Sequence, residues 1–182
     1  MKLNYSKAEN IAFWFINQHP VMLAKLKYLV YYAYCWFLVA NNKDENHLTN
    51  YLFSSPLRAG DLSPTIKEVD QLGELVAITK NINMYGSTSD VNAGNLETIN
   101  LDNSCFDNLD NVITSPQLIN FLQQIDQVYN HHSLIDLDTE TRQAKPWQVA
   151  IKNNDVLDNH LIYNYYSQLH TPYAQELRQT EF

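Results

Sequence analysis

The chain has 182 residues and a formal net charge of −8, from 12 Lys and Arg against 20 Asp and Glu, and 45% of it is hydrophobic. That apolar content excludes a wholly disordered chain, and the acidic balance disfavours general nucleic-acid binding, which takes clustered Lys and Arg to neutralise phosphates. With only 4 glycines, where average usage gives about 13, folds built on glycine-rich phosphate loops are also disfavoured. One domain is the expectation at this length, with a core large enough to need neither disulfide nor metal. Cys35 sits in an apolar run and Cys105 in an asparagine-rich stretch. Neither belongs to a CxxC pattern, so both read as free thiols in a reducing compartment. Met1–Asn10 is polar and carries no leader pattern, which suggests a cytoplasmic protein.

Ser6-Lys7-Ala8-Glu9 has the form of a capping box. Behind it Ala8, Ile11, Ala12, Phe15 and Ile16 recur at helical spacing. This first helix should run to about Gln18 and stop at His19-Pro20, because the residue before proline is pushed out of the helical region. Val21–Ala40 is apolar over about the length that spans a bilayer, yet Lys25 and Lys27 interrupt it. It reads instead as a central helix. Leu23, Leu26, Leu29, Val30, Ala33, Phe37 and Leu38 form its stripe, widened by Tyr31, Tyr32 and Trp36. The aromatics of Tyr28–Phe37 could stack bases, but without interleaved Arg their helical spacing fits a core better.

Asn41–Asn46 reads as a polar turn. Leu48–Pro64, punctuated by Ser55-Pro56, Gly60 and Ser63-Pro64, reads as loop with a short extended piece at Tyr51–Phe53. Ser63 before Pro64 predicts a helix over Pro64–Lys80, with Ile66, Val69, Leu72, Leu75, Val76 and Thr79 on one side. Asn81–Asn111 is dense in Asn, Asp and Ser and is expected to be a long loop-rich insertion. Ser115-Pro116 repeats the start signal for a helix to about Asn130. Short helices are expected over Leu134–Arg142 and Pro146–Lys152. A last one, capped by Asp155, should place Leu157, Leu161, Ile162 and Tyr165 on one face. Residues 171–182 read as a frayed tail beyond a helical domain over 1–170. The fold class is therefore mainly α: a compact single-domain helical bundle with short extended segments and one long Asn/Asp-rich loop.

His131-His132 with Asp136 and Asp138 is the cluster most like a metal site. Adjacent helical histidines point about 100° apart, and no HExxH pattern or second histidine pair completes it. A polar helix end accounts for it as well. No G-x-S-x-G elbow is present, and nothing local activates Cys105. The residues thus assign no catalytic, cofactor or metal position.

Ile11–Ala40 nevertheless resembles the opening of the Panacea-domain family, also described as SocA-like or GepA-like phage-associated proteins. Lys25, Leu26, Lys27, Tyr28, Leu29, Tyr31, Tyr32, Ala33 and Trp36 fall in register with its KLQKLLYYAQGWHLA-like helix. Tyr51–Leu57 and Leu62–Lys67 resemble its aromatic piece, turn and helix start, with Ser55-Pro56 in place of the family's Gly-Pro and with Pro64 following. Pro116–Ile151 resembles its C-terminal segment, ending on Pro146-Trp147, with Thr141-Arg142 where the family has Thr-His. Val156–Tyr166 resembles its closing helix. The signature positions are then Lys25, Tyr28, Trp36, Pro56, Pro64, Pro146 and Trp147, expected to determine fold more than contact.

The resemblance implies an antitoxin: a cytoplasmic protein that neutralises a toxin by direct binding, in some relatives by delivering it to a protease. It implies a protein partner encoded by an adjacent gene, no membrane association, and leaves a homo-oligomer open. The alternatives are a metal-dependent hydrolase using His131, His132 and Asp136, or a phage or mobile-element interaction protein without a toxin.

Overall fold

The computed structural model describes residues 3–72, 98–99, 113–153, 156–170 and 172–178, and they are mainly helical. In chain order they form β1 (Leu3–Asn4), α1 (Ala8–Gln18), β2 (Val21–Met22), α2 (Leu23–Ala40), β3 (Asn50–Tyr51), β4 (Arg58–Ala59) and β5 (Pro64–Thr65). Helix α3 is described over residues 67–72. Then follow β6 (Thr98–Ile99), α4 (Pro116–Tyr129), α5 (Leu134–Gln143), α6 (Lys145–Asn153), α7 (Asn159–Ser167) and α8 (Pro172–Arg178).

Helix α2 is the axis of the molecule and packs against α1, α4, α5, α7 and α8. Every residue from Tyr28 to Val39 is buried, as an all-round apolar helix requires. Four of those residues are tyrosines, and a buried hydroxyl without a partner is costly. Each one is answered by a neighbouring helix. Tyr28 donates to Asp138 on α5 at 2.8 Å, and Tyr32 shares a 3.0 Å hydrogen bond with Thr141 on the same helix. Tyr34 donates to Asn159 of α7 at 3.1 Å, while Tyr31 accepts from Tyr166 of α7 at 3.2 Å. Trp36 Nε1 donates to Tyr129 of α4 at 2.7 Å. The tyrosine-rich run is thus both the apolar core and the set of polar pins that orients its neighbours. No helix among the described residues is long and apolar enough to cross a membrane.

Helix α1 buries Ala8, Ile11, Ala12, Phe13, Phe15 and Ile16 and ends before Pro20 as expected. The expected capping box at Ser6 does not form. Lys7 is the N-cap and makes no side-chain cap bond. The Ser6 N–H instead donates to the Leu52 carbonyl at 2.8 Å, extending the parallel pairing of β1 with β3. Helix α2 likewise starts at Leu23 rather than Val21, because Val21–Met22 pairs antiparallel with Thr98–Ile99. Apart from those two residues, the expected insertion at Asn81–Asn111 lies outside the described residues.

The expected helix start at Ser63-Pro64 is also corrected. Pro64–Thr65 is a strand, antiparallel to Arg58–Ala59, and helix begins only at residue 67. The turn between the two strands is tight at Gly60. A Cβ there would lie 2.5 Å from Thr65 Oγ1 and 2.6 Å from the Ser63 carbonyl oxygen. Ile66, Val69 and Leu72 are buried as expected; Leu75, Val76 and Thr79 lie outside the described residues.

Helix α4 starts on Ser115 as predicted, whose Oγ accepts from the Leu118 N–H. Helix α5 opens on a capping box between Ser133 and Asp136. The last long helix is capped by Asp158, not by Asp155: the Asp158 carboxylate accepts from the His160 and Leu161 N–H groups at 2.7 and 3.2 Å. The expected frayed tail is a helix over Pro172–Arg178. Ala174 and Leu177 are buried, and Arg178 donates to the carbonyls of Tyr166 and Leu169, closing the end of α7.

Candidate functional site

Most of the signature positions, Pro56 apart, lie in or beside the packing around α2. Lys25 donates to the carbonyl of Asn130, the residue that ends α4, where a cation also suits the helix dipole. Trp36 is buried at the α4 joint. Pro64 is buried in β5 and Pro146 and Trp147 in α6, whereas Pro56 is exposed. Trp147 meets Tyr31 edge to face at a ring separation of 6.4 Å, with the Arg142 guanidinium 6.0 Å from its ring. These residues are not gathered into one pocket.

Around Tyr28 the joint reaches the surface. The Asp138 carboxylate accepts from Tyr28 and, through both oxygens, from Arg142 Nε at 2.8 and 2.9 Å. Burial opposes ionisation of Asp138, but the hydrogen bonds from Arg142 and Tyr28 and the charge of the guanidinium outweigh it, holding the carboxyl below its ordinary value. The same pair raises Arg142 above its ordinary value, chiefly through its hydrogen bond to Asp138. Arg142 also donates to the Asp61 carbonyl at 2.6 Å, and the Tyr28 hydroxyl, whose single proton is directed chiefly to the closer Asp138, lies 3.2 Å from the Leu62 carbonyl. The tip of the β4–β5 hairpin is thereby clamped onto α5.

This clamp presents two large apolar side chains to solvent. Leu62 is 87% exposed at the hairpin tip, and Ile135 is 77% exposed one helical turn before Asp138. Sequence reading singled out neither. The Asp138/Arg142 pair did carry a signal, the i,i+4 spacing of opposite charges on one helix face. Leu62 carried none.

The His131, His132 and Asp136 region is built as a helix start. Asp136 Oδ2 accepts from Ser133 Oγ at 2.7 Å and from the Ser133 N–H at 3.1 Å, which lower its carboxyl, so this oxygen serves the cap. His131 is exposed. His132 Nδ1 lies 3.3 Å from Glu140 Oε1, close enough for attraction but not aligned as a hydrogen bond. No group of three or more metal-ligating side chains occurs among the described residues.

A recess open to solvent lies between α2, α4, α5, α7 and α8. It has a volume of about 230 Å³ and is lined mainly by Tyr32, Tyr129, Tyr165, Tyr166, Tyr173 and Glu140. Cys35, close by beneath Tyr31 and Tyr166, is a buried free thiol whose ionisation is pushed up by burial.

No family model, curated protein or solved structure matches the chain.

Proposed function

We propose that this protein is an antitoxin-like binding protein that neutralises a partner protein by covering it, using the face made by the β4–β5 hairpin tip and α5. The observation that carries this reading is the clamped apolar pair. Leu62 follows the Asp61 carbonyl that Arg142 binds, Ile135 stands one helical turn before Asp138, and both side chains are largely exposed. A rigid apolar contact beside a bonded Arg has the make-up of an interface centre. The net charge of −8 favours encounter with a basic partner. The Panacea-domain resemblance supplies the antitoxin class, the cytoplasmic setting and the adjacent gene as the source of the partner. Delivery of that partner to a protease is the variant of the same reading in which binding leads to turnover.

Co-expression tests it. The adjacent gene should arrest growth alone and be harmless beside this one, and the two proteins should copurify. A harmless neighbour with no copurifying protein would refute the proposal.

A further inference from the structure

We propose that the surface covered by the Leu62–Ile135 face is an apolar patch rimmed by Lys or Arg, and that Asp61 and Asp136 are the residues that meet those cations. The inference rests on the reading of this face as the one that covers a partner protein. Ile135, Asp138 and Arg142 stand at i, i+3 and i+7 of α5 and so share one stripe of the helix. The hairpin tip lies against that stripe. The Asp61 carbonyl accepts from Arg142 at 2.6 Å, and the Leu62 carbonyl lies 3.2 Å from the Tyr28 hydroxyl that donates to Asp138. Leu62 and Ile135, both largely exposed, therefore belong to one continuous surface.

Each apolar side chain has a carboxylate beside it in the chain. Asp61 precedes Leu62, Asp136 follows Ile135, and both are exposed. The Asp138 carboxylate on the same surface is matched by Arg142. Neither Asp61 nor Asp136 forms an ion pair among the described residues. Arg142 binds the main-chain carbonyl of Asp61, not its carboxylate, and Ser133 engages only Oδ2 of Asp136. Arg142 with Asp61, and His132 with Asp136, interact only as charges beyond ion-pair distance. Glu140, farther round α5, lies 3.3 Å from His132 Nδ1. The surface thus joins two apolar knobs to two carboxylates that no cation of this chain contacts. Such rim charges add little to affinity, but they attract opposite charge over a Debye length, about 10 Å at 0.1 M salt. An anionic lipid surface or a nucleic acid would be repelled by the same two charges. A protein patch with Lys or Arg around an apolar centre matches both parts of the surface.

The test measures association and dissociation rates of the full-length protein with the product of the adjacent gene, by stopped-flow fluorescence in low and in high salt. Asp61→Asn/Asp136→Asn removes two charges at the face, and the new amide oxygen at position 136 can still accept from Ser133. Glu9→Gln/Glu45→Gln removes two charges elsewhere. Glu9 opens α1 near the Tyr5–Phe37 contact, and Glu45 follows the end of α2 at Ala40, about 18 Å along the helix from Tyr28. In low salt the face variant should associate about tenfold more slowly than wild type and dissociate within about threefold of its rate. The gap should close in high salt. The remote variant, with the same net charge, should associate within about twofold of wild type. Thermal unfolding of each variant checks that the fold persists. Equal slowing by the two variants would assign the attraction to overall charge and overturn the proposal, as would an unchanged rate in a folded face variant. A complex whose formation ignores these charges leaves the partner reading standing and overturns only this one; the absence of any complex refutes both.

Discussion

Replacing Trp147 with alanine tests the reading of the signature positions as joints of the fold. Trp147 is 2% exposed, and the buried residues nearest to it in sequence are the ring-locked Pro146 and the small Ala144 and Ala150, none of which can move in to fill the space it leaves. Removing a buried tryptophan costs about 3–5 kcal/mol, more where the surroundings cannot collapse. Here the loss includes the edge-to-face contact with Tyr31 and the Arg142 contact over the ring. For a chain of this size each kcal/mol lowers Tm by roughly 2–4 °C, so a fall of roughly 6–20 °C is expected. Urea unfolding followed by far-UV circular dichroism gives the free energy directly, with the slope checked for two-state behaviour. Ile135→Asp, a change at a solvent-facing site, should stay within about 0.5 kcal/mol of wild type. A Trp147→Ala cost below about 1 kcal/mol would refute the joint and return Trp147 to the list of contact residues.

Three further outcomes are expected. The folded-state pKa of Asp138 is depressed, so its contribution is present above the unfolded carboxyl value of about 4 and is lost as pH falls through the folded one. Asp138→Asn should therefore be less stable than wild type at pH 7, and the gap should close in acid; a constant gap in urea titrations across that range would contradict the assignment. In a Cys105→Ser background, Cys35 should resist a thiol reagent in the native protein and react on unfolding; rapid native labelling would contradict its burial. Arg178→Ala removes the donors to the Tyr166 and Leu169 carbonyls, and amides of α8 should exchange faster by hydrogen exchange, with those of α2 unchanged. Uniformly faster exchange would show that α8 is integral to global stability.

Helices were legible where periodicity and caps agreed. Ala8–Ile16 and Ser115-Pro116 declared α1 and α4, and the unbroken apolar run after Lys27 declared a helix buried on all sides. Capping signals failed where a long-range partner competed for the same backbone. Ser6 pairs with Leu52, and Pro64 pairs with Ala59 in a two-residue strand that no local pattern announces. Asp155 and Asp158 both precede the same apolar stretch, and it is Asp158 that accepts from the first N–H groups of α7, while Asp155 lies outside the described residues. The tail was misread because its stability lies in two buried side chains and in Arg178 reaching back to α7. The glycine scarcity noted at the outset is sharpened in the same way. Gly60 sits where the hairpin turn leaves no room for a side chain, at the loop that positions Leu62. The tyrosine recess escaped the sequence because its members come from five helices spread along the chain.

The central claim is that the clamped Leu62–Ile135 face covers a partner protein. Its most direct test is the dissociation constant of the copurified complex, measured with wild type and with the Leu62→Asp/Ile135→Asp double variant. Both sites are exposed, so the variant should keep wild-type thermal stability. Charges placed at an interface centre cost about 2 kcal/mol or more each, so affinity should fall at least about 100-fold. Unchanged affinity in a folded double variant would contradict the account.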